Sequence, residues 1–271
     1  MPALHPRFGY PITADPRKVL GRPLGYIPDK PDPRDYMLTR MPYDKAKMLP
    51  PRIDYTSKMS PVGDQGNEGT CVGWAAADGM KEYQEGKEWG KDVQLSPRYV
   101  YENARKLDPP AEREDEGTTI RSAMKVLNKK GVCPEDCWNY VPKQPGFPTD
   151  DADEKAGKYK IVKYSRLEDL DAYKESLVVN GPFVAGVLVF QSWADVTGNG
   201  IVPMPDPKRP GFLGGHAICI VGFDETKRLM KFKNSWGPKW GDSGYGYLSY
   251  DYIGMYCIDA WSARDLVFER V

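Results

Sequence analysis

The sequence predicts an α+β protein in which a helical lobe precedes an antiparallel β lobe. Two observations carry this. Between residues 71 and 131 apolar positions recur at helical spacing, and the segments are bounded by capping residues. From about residue 158 the pattern turns to alternation and to short β-branched runs separated by turns. Helices grouped ahead of strands segregate into separate layers instead of interleaving as βαβ units. A chain of 271 residues is long enough for one large domain or for two lobes with a shared core.

The first 51 residues stand apart, because eleven of the 25 prolines lie there. Proline fixes φ and removes an amide donor, so this stretch is expected to be extended and without regular helix. Its centre, GYIPDKPDPRDYM, mixes prolines with tyrosines and charges, and reads either as a flexible leader or as an arm that docks through its aromatics. The expected division is an arm over 1–47 and a folded domain over 48–271, with a helical lobe at about 60–157 and a β lobe at 158–271. Ser60–Thr70 is a glycine-rich loop feeding a helix that begins at Cys71, CVGWAAADGMKEYQE. Ser96-Pro97 is a capping pair that starts a second helix, RYVYENARKL. A third helix, TTIRSAMKVLNKKG, has apolar residues at 120, 123, 124 and 127 and closes at Gly131. KYKIVKYSRL reads as a strand and LEDLDAYKESLVVNG as a helix. PFVAGVLVF, HAICIVGFD, LMKFKNSW, YGYLSYDYI and CIDAWSARDL read as strands.

Lys plus Arg and Asp plus Glu each number 38, so no net charge steers the chain toward nucleic acid or an anionic membrane. No apolar run approaches the roughly 20 residues that cross a bilayer. The N-terminus lacks a basic segment followed by an apolar one. The expectation is therefore a cytoplasmic chain, one whose signal was removed before this numbering begins, or one exported by another route. There is no dinucleotide fingerprint, P-loop or HExxH, and no cofactor is expected. Cys133 and Cys137 could bridge in a turn or begin a metal site. With no histidine nearby and no second pair, zinc is not expected. Cys219 and Cys257 read as packed free thiols.

Cys71 falls where a glycine-rich loop becomes a helix. Partial positive charge and unpaired amides at a helix start favour thiolate, the nucleophilic form. Gln65, six residues upstream, could fold back and share an oxyanion with the Cys71 amide. From this segment alone a catalytic thiol and a buried structural thiol are equally good readings. The chain has only two histidines, His5 and His216. His216 follows two glycines at the start of an apolar strand, and Asn234 follows the next one. A hairpin would bring them together, with the Asn234 oxygen on Nδ1 and Nε2 left for the thiol. Trp236 could cover that hydrogen bond and exclude water.

At these residues the sequence resembles the papain-like cysteine peptidases. The matching blocks are Pro61–Gly66 through Cys71 and Trp74; Gly215-His216-Ala217 with Val221-Gly222-Phe223; and Lys233–Gly237 with Trp240-Gly241 and Gly244-Tyr245-Gly246. The pattern looks like the bacterial branch of the family. The resemblance implies a papain-like two-lobe fold with a helical left lobe, an antiparallel β-barrel-like right lobe and a cleft between. It implies catalytic Cys71, His216, Asn234 and Gln65, with Trp236 in support, an acyl-enzyme on Cys71, and a protein or peptide substrate. Substrate backbone would meet Gly117, Thr118 and Gly215. The protein is expected to act as a monomer, with no nucleic-acid or membrane partner. Two positions depart from the family. Glu68 stands where a cysteine usually precedes the nucleophile, so the usual disulfide is absent, and Val72 stands where an aromatic usually follows, a loss Trp74 could replace. The arm is shorter than the family's helical prosegments. It is expected to lie along or across the cleft near residues 20–40, the alternative being a strap that packs on the surface. Two rival readings are a silent binding protein of the same fold and a thiol transglutaminase or deamidase, which usually carries Asp as its third member.

Overall fold

A computed structural model describes residues 9–38, 49–90, 93–109, 117–208 and 211–265. The cysteine-bearing helix α2 runs through Cys71–Trp74, Ala75–Lys81 and Glu82–Trp89, its middle third widened to π-type geometry. It follows a short arm helix, α1 (Pro16–Leu20), and two short strands, β1 (Tyr26–Ile27) and β2 (Arg52–Asp54). Next come α3 (Pro97–Leu107), β3 (Thr118–Thr119) and α4 (Ile120–Lys129). The Ser96 hydroxyl accepts from the Tyr99 amide at 3.1 Å, the N-cap bond expected of Ser-Pro. Ile120, Ala123, Met124 and Leu127 are fully buried. At ~1.5–3 kcal/mol for each large side chain, this stripe anchors α4 against the sheet.

After α5 (Ala152–Ala156) the chain enters the β lobe: β4 (Ile161–Arg166), α6 (Leu170–Val179), β5 (Phe183–Phe190), β6 (Phe212–Asp224), β7 (Leu229–Lys233), β8 (Tyr245–Ser249), α7 (Tyr250–Tyr256) and β9 (Cys257–Asp265). The sheet order is β4-β9-β5-β6-β7-β8, with β2 added alongside β6, and all pairs are antiparallel. The sheet stays open at β4 and β8, so the barrel-like lobe is a curved sheet and not a closed barrel. One apolar cluster lies between the helices and the sheet, and a second lies on the sheet's other side. Helix α2 packs directly on β6. A Cβ at Gly79 would sit 2.5 Å from the Cys219 Cβ, so only glycine permits the approach.

Two sequence expectations are corrected. The arm is not wholly extended. Asp15 accepts from the Arg17 amide at 2.9 Å, Pro16 supplies the first helical φ, and Gly21 ends α1 at φ +71°. Asp-Pro starts this helix as Ser-Pro starts α3. YGYLSYDYI is not one strand either. The Ser249 hydroxyl caps the Tyr252 amide at 3.0 Å and turns the second half into α7.

Candidate active site

The Cys71 thiol is fully buried at the head of α2, and the Ala217 amide donates to its sulfur at 3.4 Å. The Gln65 amide N–H donates to the Ser235 carbonyl at 2.9 Å, which ties the glycine-rich loop to the strand end that carries Asn234. The Gln65 side chain is fixed as well. Its Oε1 accepts from the Ser235 hydroxyl at 2.7 Å, and Nε2 donates to the Glu68 carbonyl at 2.8 Å and to Pro23 of the arm at 3.4 Å. Sequence reasoning missed Tyr140, which no motif block contains. Its hydroxyl meets the Gln65 carbonyl at 2.8 Å and Thr70 Oγ1 at 2.6 Å.

His216 stands in β6 and Asn234 directly follows the adjacent antiparallel strand β7, as the hairpin required. The ring is turned the other way from the sequence expectation. Nε2, not Nδ1, meets Asn234 Oδ1 at 2.8 Å, and Nδ1 is buried without a hydrogen-bond partner. Residue 216 pairs with Val187 of β5, and Asn234 directly follows the end of β7. Trp236 lies against the imidazole, with centroids 4.8 Å apart. A second indole, Trp193, stands edge-on to His216 at 6.0 Å and near Trp236 at 5.6 Å. It follows β5, away from the matched blocks, and its position is fixed by an indole N–H bond to the Tyr252 hydroxyl at 2.7 Å.

The arm crosses this site. Thr13 bonds to Phe212 of β6 at 3.0 Å, and Leu38 bonds to Arg166 of β4, also at 3.0 Å. Between them β1 pairs in parallel with β3, Tyr26 opposite Thr118, and the Thr118 amide donates to the Gly25 carbonyl at 3.1 Å. A Cβ on Gly25 would meet the Gly69 oxygen at 1.8 Å, and one on Gly117, whose φ is +124°, would meet the Gly25 oxygen at 2.5 Å. Gly117 and Thr118 thus hold an extended backbone. Gly215 of β6 is buried opposite Leu188 of β5, and it is at Gly214 that a Cβ would meet Leu24, at 3.2 Å. Arg22 lies over the Trp236 ring at 5.4 Å and pairs with Asp64 at 2.9 Å.

Beneath the arm, burial favours the neutral forms of Cys71 and His216. Burial pushes the Cys71 thiol up to about 11, against backbone hydrogen bonds from Ala217 and Gly25 that favour thiolate. Burial holds His216 down at about 4, with Asn234 favouring the charged ring and Arg22 opposing it.

A thiol at a helix head, an imidazole oriented by an amide and a side-chain amide donor beside them make up a site for thiol acyl chemistry. Residues 49–261 match the family model "Papain family cysteine protease". The chain belongs to the papain family of cysteine proteases. It is 35% identical to an uncharacterized peptidase C1-like protein of Acanthamoeba polyphaga mimivirus, over 87% of this chain and 84% of that one. It is 27% identical to mouse cathepsin K, over 74% of this chain and 60% of that protein. Among solved structures it resembles xylellain, a cysteine protease from Xylella fastidiosa, at 33% identity and a TM-score of 0.79, covering 90% of this chain and 96% of that one. As a papain-family member the chain is a cysteine peptidase with a papain-like fold, and its substrates are proteins.

Where the family has its disulfide, this peptidase has an ion pair. Arg98, fully buried on α3, bonds both Glu68 oxygens at 2.5 and 2.7 Å, and the Lys143 amide adds a third bond at 2.8 Å. Burial pushes the Glu68 carboxyl up, but these bonds outweigh it and hold it below its ordinary value. Trp74 packs edge-on against Tyr140 at 4.9 Å and fills the space that a Cβ on Gly63 would need. All five cysteines are free, Cys133 and Cys137 included. Among the described residues no three His, Cys, Asp or Glu side chains converge as metal ligands would.

Proposed function

We propose that the chain is an endopeptidase in which Cys71 is the nucleophile, His216 its base, Asn234 the group that orients the histidine and Gln65 an oxyanion donor. We propose further that residues 1–47 form an arm that keeps the 48–271 peptidase domain in a zymogen-like state. The observation that carries this reading is the arm's backbone in the reactive site. The Pro23 carbonyl takes a Gln65 donor, and the Gly25 backbone lies so close to the loop ahead of Cys71 that a Cβ there would meet the Gly69 oxygen at 1.8 Å.

With the arm withdrawn, water and substrate reach the pair and the desolvation that keeps both groups neutral is relieved. The thiol proton passes to Nδ1 of His216, giving thiolate and imidazolium. Asn234 stabilises the charged ring through Nε2–H. The thiolate attacks a peptide carbonyl carbon, and the oxyanion takes hydrogen bonds from Gln65 Nε2 and the Cys71 amide. Collapse expels the amine, which leaves with the proton from His216, and a thioester remains on Cys71. His216 then takes a proton from water, the hydroxide attacks the thioester, and the carboxylic acid and free thiol are restored. Trp236 and Trp193 keep water from the His216–Asn234 bond.

Digestion of a peptide library by the full chain, by a chain lacking residues 1–40 and by Cys71→Ser tests the reading. Cleavage that is faster without the arm and lost in Cys71→Ser supports it. Cleavage that survives in Cys71→Ser contradicts it.

A further inference from the structure

We propose that the arm is fastened by a proton-dependent latch, so that raising the pH, and not lowering it, frees the cleft. The inference rests on reading the arm as the cover of the site. The latch is a buried charge cluster where the arm meets β9, β4 and α4. On the β9 side, Asp259 accepts the Tyr26 hydroxyl, the Asp29 amide at 2.8 Å and the Arg166 guanidinium. On the arm side, Asp29 Oδ2 accepts the Trp261 indole at 2.9 Å and the Arg121 amide at 3.2 Å. Arg121 grips Asp35 at 2.9 and 2.6 Å, and Arg166 comes within 3.5 Å of the same carboxylate.

Counting charges decides the matter. Three carboxylates, Asp29, Asp35 and Asp259, face two guanidiniums, Arg121 and Arg166. The Asp29 and Asp259 side chains are 0% exposed and Asp35 is 10% exposed. Little solvent reaches the surplus negative charge to screen it, so the closed cluster favours one added proton. Asp29 Oδ1 has a place for it. That oxygen is buried, accepts no hydrogen bond and has Arg121 only at 3.6 Å. The remaining groups nearby do not supply the missing charge. Asp32 is neutralised by Arg34 at the surface, Lys30 is exposed and meets Arg121 through its carbonyl, and burial keeps Tyr26, Tyr164, Tyr173 and Cys257 in their neutral forms.

Burial first, then Asp259, push the Asp29 carboxyl up to about 7 in the closed state, against Arg121, Trp261 and Thr119. On the released arm it returns to about 4. A group raised in the closed state strengthens closure fully below its free value, and that contribution is lost as the pH rises through about 7. The catalytic pair leaves this balance unchanged between those limits. On release its single proton moves from sulfur to nitrogen, and none is gained or lost.

The test is amide hydrogen exchange of residues 22–35 in the full chain, corrected for the intrinsic pH dependence of exchange, in a Cys71→Ser/His216→Gln background that prevents self-cleavage and removes the histidine's own proton uptake on release. Arm protection is expected to fall about tenfold per pH unit between about pH 5 and about pH 7, while strands β5 and β6 keep theirs. Asp29→Asn is expected to hold its protection across that range. Asp35→Asn, which brings the charges to two against two, is expected to move the fall to lower pH. Protection that is flat or rises with pH in the parent chain, or an Asp29→Asn slope equal to the parent's, overturns the proposal. Neither outcome depends on whether Cys71 attacks peptides.

Discussion

At the scale of single residues, Gln65 is the most constrained of the proposed machinery. Its oxygen is held by Ser235, its backbone by Ser235 and Tyr140, and one amide proton by Glu68, so the other is aimed at the place Pro23 now fills. A donor so fixed needs no reorganisation when charge develops on a substrate oxygen. Gln65→Ala in a chain freed of its arm is expected to lower kcat roughly 100- to 1,000-fold with little change in KM. Steady-state kinetics on one peptide checks this, and a loss confined to KM contradicts the role. That Cys71, His216, Asn234 and Gln65 come to one place was legible because histidine is scarce and three motif blocks coincide. The ring orientation was not legible. It is a matter of how the ring sits among Asn234, Trp236 and Trp193, which one-dimensional spacing does not contain. Trp193 and Tyr140 were missed for a similar reason, since both reach the site through tertiary packing from unremarkable segments.

At the scale of elements, the arm depends on glycine. Gly25 passes so close to Gly69 that no side chain fits, and Gly117 completes the pairing at a positive φ. Gly25→Ala is expected to lift the arm without shortening the chain. A clash costing about 1–3 kcal/mol raises the open fraction, and with it peptide turnover by the full chain, roughly 5- to 150-fold. Unchanged turnover would mean that β1 and β3 do not limit access. The same elements show how far local patterns carry. The stripe on α4 and the Ser96 cap were plain in the sequence, because spacing and capping act over a single turn. Helix α1 was hidden by proline counting, although Asp15-Pro16 is itself a start signal. Helix α7 was hidden because aromatic residues suit a strand and a buried helix face equally well.

At the scale of the whole molecule, helix α2 is the hub. It carries Cys71 at its head, packs Gly79 on β6, and near its middle Asp78 receives the Lys233 ammonium from the residue next to Asn234, at 2.8 Å. The Glu68–Arg98 pair fastens the loop ahead of α2 to α3 where relatives use a covalent bridge. The two-lobe order was legible from helices preceding strands. The path of the arm, from β6 across β3 to β4, was expected only as a position near residues 20–40. Its partners Asp259, Arg166 and Arg121 were invisible because each is an ordinary charged residue outside every motif. In the proposed function one cysteine does the chemistry and the arm controls access to it. Peptide mapping by mass spectrometry after treatment with an epoxysuccinyl inhibitor tests both parts, using the full chain, the chain lacking residues 1–40, and Cys71→Ser. A single adduct on Cys71 is expected, formed faster in the trimmed chain and absent from Cys71→Ser. An adduct on Cys133, Cys137, Cys219 or Cys257, or equal rates with and without the arm, would contradict it.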